Sequence, residues 1–418
     1  MKKIILSELL LIFLATTFQT DTQDWYQQIL PRSDVTVQDI FFLDSLKGWA
    51  VSNKTSNDSS FIFFTTNGGS NWLTQFGNNQ LLVALCLTDP LNGYSVGGTV
   101  GGTGKIFKTS NGGLNWNLIL TAGHGFTDVF FVNSDTGWAC DDDGFVGAGL
   151  LKTTNGGTNW TQQLTASSEP SRLFFISKDT GWVICQSTKL LRTINGGTNW
   201  DQISLFPQNL VAIFFINKDT GYVSGGGGSS SIKITTDGGF NWVSSNNSTG
   251  GNDIFFINGS IGFDCDIFST VEKTFDGGYN WFAQTVPTGY YYSIRFTDTL
   301  RGWSGGTKLI HTTDGGGPPV GINPISNNVP KDFTLSQNYP NPFNPSTVIN
   351  YELRVTSYIN IRVFDITGKF IVDLVNRKQN AGEYQVQFEG SELSSGVYFY
   401  SLFVNDKLNE TKRMVLLK

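Results

Sequence analysis

The sequence predicts an all-β chain: a seven-bladed β-propeller followed by a small Ig-like β-sandwich. Three observations predict it. A Gly-Gly turn motif, usually closed by Trp, recurs seven times at a period near 41 residues. A Gly-aromatic pair recurs independently, again seven times. Beyond residue 333 both motifs stop and short alternating strands take over. The composition agrees. Of 418 residues, 48 are Gly and 33 are Phe, and only 15% are charged. An average soluble protein carries about 25% charged residues; few charges with many aromatics exclude a disordered chain and a coiled coil. The 28 basic and 34 acidic residues form no basic block, so no nucleic-acid partner is expected. Cys86, Cys140, Cys185 and Cys265 form no CxxC pair, which excludes a zinc knuckle or thioredoxin-type site on spacing.

The chain starts Met1-Lys2-Lys3, and Ile4 to Phe13 is largely apolar before Ala15, Thr16 and Thr17. This pattern predicts a signal peptide over residues 1–20, too short and too interrupted by Glu8 to span a membrane. The turn motif follows, anchored at Asn67, Asn111, Asn155, Asn195, Asp237, Asp276 and Asp314, with spacings of 44, 44, 40, 42, 39 and 38. A period of 40–45 residues fits one four-stranded blade. The Gly-aromatic pairs begin at Gly48, Gly93, Gly137, Gly181, Gly221, Gly262 and Gly302. Before each runs a continuously apolar segment such as Asp39–Leu43, as expected of an inner strand buried on both faces. Each blade therefore reads as strands a to d, with the Gly-Gly turn between c and d. The seventh turn, TTDGGG, lacks its Trp, and Trp25 near the start supplies one. Residues 24–316 are thus expected to form the propeller, with 24–30 closing the last blade as its strand d. Residues 317–332 are a Pro-rich linker. Strands are expected over Val348–Leu353, Ile359–Ile366, Tyr384–Phe388, Val397–Val404 and Lys412–Leu417, which suffice for one sandwich.

The turn motifs resemble the Asp-box repeat of bacterial neuraminidases. The full blade pattern, FF…GW…T-(N/D)-G-G-x-x-W, resembles the photosystem II stability/assembly factor family of seven-bladed propellers. FTLSQNYPNPFNPSTVINYEL (Phe333–Leu353), VFDITGK, SSGVYFYSL and the terminal TKRMVLLK are similar to the type A C-terminal sorting domain of type IX secretion. That resemblance implies that residues 333–418 engage the type IX translocon. The chain would then be secreted, or attached to the outer cell surface, after passing the periplasm.

Candidate chemistry is expected at the channel mouth, where strand a starts: Asp39, Ala84, Asp128, Arg172, Ala212, Asp253 and Ser293. Tyr290, Tyr291 and Tyr292 add aromatic edges, and nearby turns add Asp141, Asp142, Asp143, Asp264 and Asp266. Asp39, Asp128, Arg172, Asp253, the three tyrosines and Arg295 are the ligand-binding candidates. Arg295 stands in a column of apolar residues and is expected to pair with Asp253 or Asp39. Asp141, Asp142 and Asp143 are a candidate calcium site, although EF-hand spacing is absent; no other cofactor is expected. Arg32, Arg172, Arg192, Arg295 and Arg301 do not supply a sialidase's three converging arginines. The cysteines read as buried apolar residues, with Cys140 and Cys185 on opposite faces of their sheets. The expected function is a non-catalytic, monomeric binding propeller for a protein or glycan. The alternatives are a secreted glycan-active hydrolase using two carboxylates and an assembly factor for a membrane complex.

Overall fold

The computed structural model describes residues 25–98, 102–141, 149–165, 168–225, 232–316, 332–379, 382–391, 393–405 and 407–418. The expected signal segment and nearly all of the linker lie outside these residues. Among the described residues, seven four-stranded antiparallel sheets form a propeller. The first blade runs through strands a (Val35–Phe42), b (Gly48–Lys54), c (Ser60–Thr65) and d (Leu73–Asn78). The seventh has a different origin for its outer strand. Tyr26–Gln28 pairs with Leu309–Thr312, aligning Tyr26 with His311 and Gln28 with Leu309.

The Gly-aromatic pair and the strand-a phenylalanines form one device. Phe175 of the fourth blade stacks on Trp138 of the third at 3.6 Å between centroids and meets Trp200 of its own blade edge-on. Phe42 on Trp303, Phe131 on Tyr94, Phe215 on Trp182, Phe256 on Tyr222 and Phe296 on Phe263 repeat the stack at 3.5 to 3.7 Å. The Gly must lack a side chain because the Phe ring lies across it. A Cβ on Gly181 would fall 2.2 Å from Phe175. In the seventh blade the edge-on tryptophan is Trp25, fully buried 5.8 Å from Phe296.

The Asp-box turns clamp neighbouring blades together. In the first, Thr65 Oγ1 accepts the amide of Gly69 at 2.9 Å, while Asn67 Oδ1 accepts that of Asn71 at 2.9 Å. Both glycines take positive φ, which a side chain would strain. This turns the first glycine's carbonyl toward the preceding blade, where a side chain donates to it in all seven turns. The donors are Gln28 and Trp303 to Gly68, Gln75 to Gly112, Lys108 to Gly156, Lys152 to Gly196, Trp182 to Gly238, Tyr222 to Gly277 and Lys273 to Gly315, at 2.6 to 3.1 Å.

The four cysteines are buried and form no disulfide. Cys140 and Cys185 do lie on opposite faces of their own sheets, but those two faces meet across one seam, so both join a single apolar cluster with Trp138 and Phe175. The C-terminal unit packs a three-stranded sheet (Thr334–Leu335, Ser346–Leu353, Gly382–Glu389) against a four-stranded one. The latter orders Phe370–Gln379, Ser357–Asp365, Gly396–Val404 and Lys407–Leu416. Ile349, Tyr351, Ile361, Tyr400, Leu402 and Met414 form its core. The strand at Phe370–Gln379 was not expected, because its charged second half masks the alternation.

Candidate binding channel

The seven inner strands surround a central cavity of about 300 Å³. Its wall has layers. Phe41, Phe130, Phe174, Phe214 and Phe255 line it together with Cys86 and Arg295. Neighbouring rings touch: Phe130–Phe174, Phe174–Phe214 and Phe214–Phe255 lie 5.0 to 5.5 Å apart. Above them come Asp39, Ala84, Asp128, Arg172, Ala212, Asp253 and Ser293. The mouth adds Gln38, Val83, Thr127, Val211, Asn252 and Tyr292.

A bulge in strand a produces the top two layers. The register with strand b shifts between Val37 and Asp39, and likewise in five other blades, the sixth alone keeping it. The extra residue, Gln38 in the first blade, lets two successive side chains reach the cavity wall where a regular strand would send one outward.

The aspartates bridge blades. Asp39 accepts the amide of Ile40 at 2.8 Å and that of Leu85, in the next blade, at 2.9 Å. Asp128 bonds Val129 and Leu173 in the same manner, and Asp253 bonds Ile254 and Ile294. Ser293 donates to Asp39 at 2.7 Å. Arg295 sits between two of these carboxylates, bonded to Asp253 and 3.8 Å from Asp39. Burial opposes the charge on Arg295, but Asp253 and Asp39 more than offset it and hold its pKa above the ordinary value. Burial raises Asp39 despite Arg295, and pushes Asp128 up to about 6 against the pull of Arg172. Burial likewise pushes the Cys86 thiol up to about 12, leaving it protonated.

The structure thus brings together Asp39, Asp128, Arg172, Asp253, Tyr292 and Arg295. Tyr290 is exposed outside the cavity lining. Tyr291 is a correction: it is fully buried, with its hydroxyl on the carbonyl of Pro287, because the strand pairs it inward against Gly306. Asp141 is also buried, at the end of a strand, and its amide donates to Gly149. Asp142 and Asp143 lie outside the described residues. Among the described residues no group of three or more His, Cys, Asp or Glu side chains is arranged to hold a metal ion. Asp264 and Asp266 are buried between sheets and do not stand on the rim. The phenylalanine ring was missed as a channel lining. The apolar columns were visible, but which of two successive phenylalanines faces the axis depends on the bulge.

Comparison with known proteins agrees with this architecture. Residues 337–417 match the model of the secretion system C-terminal sorting domain, and residues 118–209 that of the photosynthesis system II assembly factor YCF48. No curated protein matches the chain. Among solved structures, one described as YCF48 bound to D1 peptide superposes with a TM-score of 0.56 at 18% identity, covering 70% of this chain and 98% of that one. YCF48 from Cyanidioschyzon merolae gives 0.55 at 16%, covering 69% and 98%. PorZ, described as an essential surface component of the type-IX secretion system of Porphyromonas gingivalis, gives 0.55 at 12%, covering 94% of this chain and 60% of that one. The sorting domain marks export through the periplasm to the cell surface or the medium. The chain is therefore a β-propeller that matches the YCF48 family model over residues 118–209, joined to a secretion-system C-terminal sorting domain over residues 337–417.

Proposed function

We propose that the chain is an exported, non-catalytic propeller that binds a protein segment across the channel mouth, one apolar side chain entering the phenylalanine ring. The observation that carries this reading is the use of the channel carboxylates. Asp39, Asp128 and Asp253 each direct both oxygens at backbone amides of two adjacent blades. A glycan hydrolase needs one carboxyl to deliver a proton and another to attack or activate water. Groups that hold the ring together serve neither role well. What remains open to a ligand is a pre-formed pocket with an apolar phenylalanine layer below a polar mouth, a form suited to recognition. The peptide named with a YCF48 structure supports a peptide over a glycan. The mature chain probed on a peptide array is expected to retain peptides bearing an apolar anchor. Val211→Glu and Tyr292→Ala should weaken the best of them at least ~10-fold, about 1.4 kcal/mol. Undiminished binding by both variants, or turnover of a glycan substrate, would overturn the reading.

A further inference from the structure

The sixth blade also departs from the other six within strand b. The third residue of strand b is Ala50, Ser95, Ala139, Val183, Val223 and Ser304 elsewhere, but Asp264 here. Directly across on strand c stands Glu272, where four other blades carry Phe63, Phe107, Leu151 and Leu191, the seventh carries Ile310 and the fifth carries Lys233. Residues so paired have Cβ atoms about 5 Å apart. Asp266, two residues along, shares the face. Asp264, Asp266 and Glu272 are 1%, 2% and 3% exposed. Neither oxygen of Asp264 has a hydrogen-bond partner, and among the described residues no ion pair reaches the cluster.

The cluster carries a loop. Ser245–Asn252 leads from the fifth blade to the sixth and ends at the channel, where Asn252 lines the mouth. The Thr249 amide donates to Glu272 at 3.1 Å and its hydroxyl to Asp266 at 3.3 Å. Gly251 donates to Ser224 of the fifth blade at 2.6 Å and lies against Asp264, so closely that a Cβ would fall 2.4 Å from Oδ1.

We propose that the seam between the fifth and sixth blades is a proton-operated lock on the mouth loop Ser245–Asn252: the loop is held down while Asp264 and Glu272 are uncharged and is released when they ionise. Three adjacent carboxylates buried without a cation repel one another and lose hydration, a cost of several kcal/mol. The other charged group nearby, Asp253 on strand a, is also acidic, and its counter-ion Arg295 is tied to the channel. Burial accordingly raises Glu272 to about 7 and Asp264 well above the carboxylate range, with the acidic neighbours adding to the latter. Both folded-state values lie above the unfolded ones, so the seam is stable at low pH and loses stability as pH rises through about 7. The lock is independent of what the mouth binds.

Hydrogen exchange of the full chain, corrected for the intrinsic pH dependence, tests it from about pH 5.5 to about pH 8.5. The expected result is a loss of protection of at least ~10-fold over Ser245–Asn252 as pH rises, with no comparable loss in the Asp-box turns. The double variant Asp264→Ser, Glu272→Leu installs side chains that other blades use, and should hold the loop equally at both ends of the range. Should it fail to fold, Asp264→Ser alone is expected to flatten the response. A wild-type loop indifferent to pH, or a variant with the wild-type slope, overturns the proposal. So does full recovery of protection at high pH on adding calcium, since the cluster would then be a cation site.

Discussion

Arg295 shows how one misfit residue can organise its surroundings. In its column stand five phenylalanines and Cys86, all facing the channel. The arginine neither leaves the wall nor stays unpaired: it bonds Asp253, approaches Asp39 and lies 5.9 Å from the centre of Phe255. The two aspartates would be needed in any case to hold adjacent blades, and the guanidinium makes their burial tolerable. Arg295→Met should therefore destabilise the chain by about 1–3 kcal/mol, between the ranges for exposed and fully buried pairs, since the three side chains are partly buried. The loss should be larger near pH 8 than near pH 5. Asp39 already titrates above its unfolded value, and without the arginine its charge becomes costlier still as pH rises. Thermal melts at the two pH values check this; equal melting of wild type and variant would make Arg295 incidental. The pairing was legible in the sequence because an arginine interrupting an apolar column needs an acid nearby. The amide bonds of those acids were not, because they depend on two blades meeting.

At the scale of the blade, the repeat motifs are inter-blade joints. The Gly-aromatic pair places a flat ring on strand b and clears room beside it for a phenylalanine from the same blade, which reaches over to stack on the blade before. Because that phenylalanine is trapped between a stacked ring and an edge-on tryptophan, it cannot yield to a new methyl group. Gly181→Ala should cost about 2–3 kcal/mol by overpacking. Gly123→Ala, where a Cβ meets nothing within 4 Å, should stay within about 0.5 kcal/mol. Urea denaturation of the two variants measures the difference, and similar costs would show that the joint accommodates. The Asp-box turn works beside it, at the same end of the blade, through its first glycine carbonyl. Its donor changes from Gln to Lys, Trp or Tyr between blades, which a search for identical residues cannot detect. What persists is the acceptor and its direction, fixed by two left-handed glycines.

For the whole molecule, closure is the decisive step. Tyr26–Gln28 covers the edge of Leu309–Thr312 and brings the seventh sheet to the four strands of the other six. Trp25 completes that blade's aromatic joint, and Gln28 and Trp303 complete the clamp onto the first Asp box. Trp25→Ala is expected to cost about 3–5 kcal/mol, as for other large buried aromatics. Deleting residues 24–30 should cost more, since it also bares the edge at Leu309–Thr312. Melting at the wild-type temperature after that deletion would show that the ring does not depend on its closing strand.

By itself the sequence determined the period, the number of blades, the residues at each turn and the sorting domain, because these are local patterns: a turn needs its glycines, a doubly buried strand its apolar run, and each repeats within some 41 residues. The tertiary structure alone decided that a phenylalanine layer lines the channel, that its aspartates hold neighbouring strands, and that Asp264 and Glu272 are sealed in a seam. Those outcomes turn on a one-residue bulge and on which two sheet faces meet, and both arise only when blades far apart in the chain pack side by side.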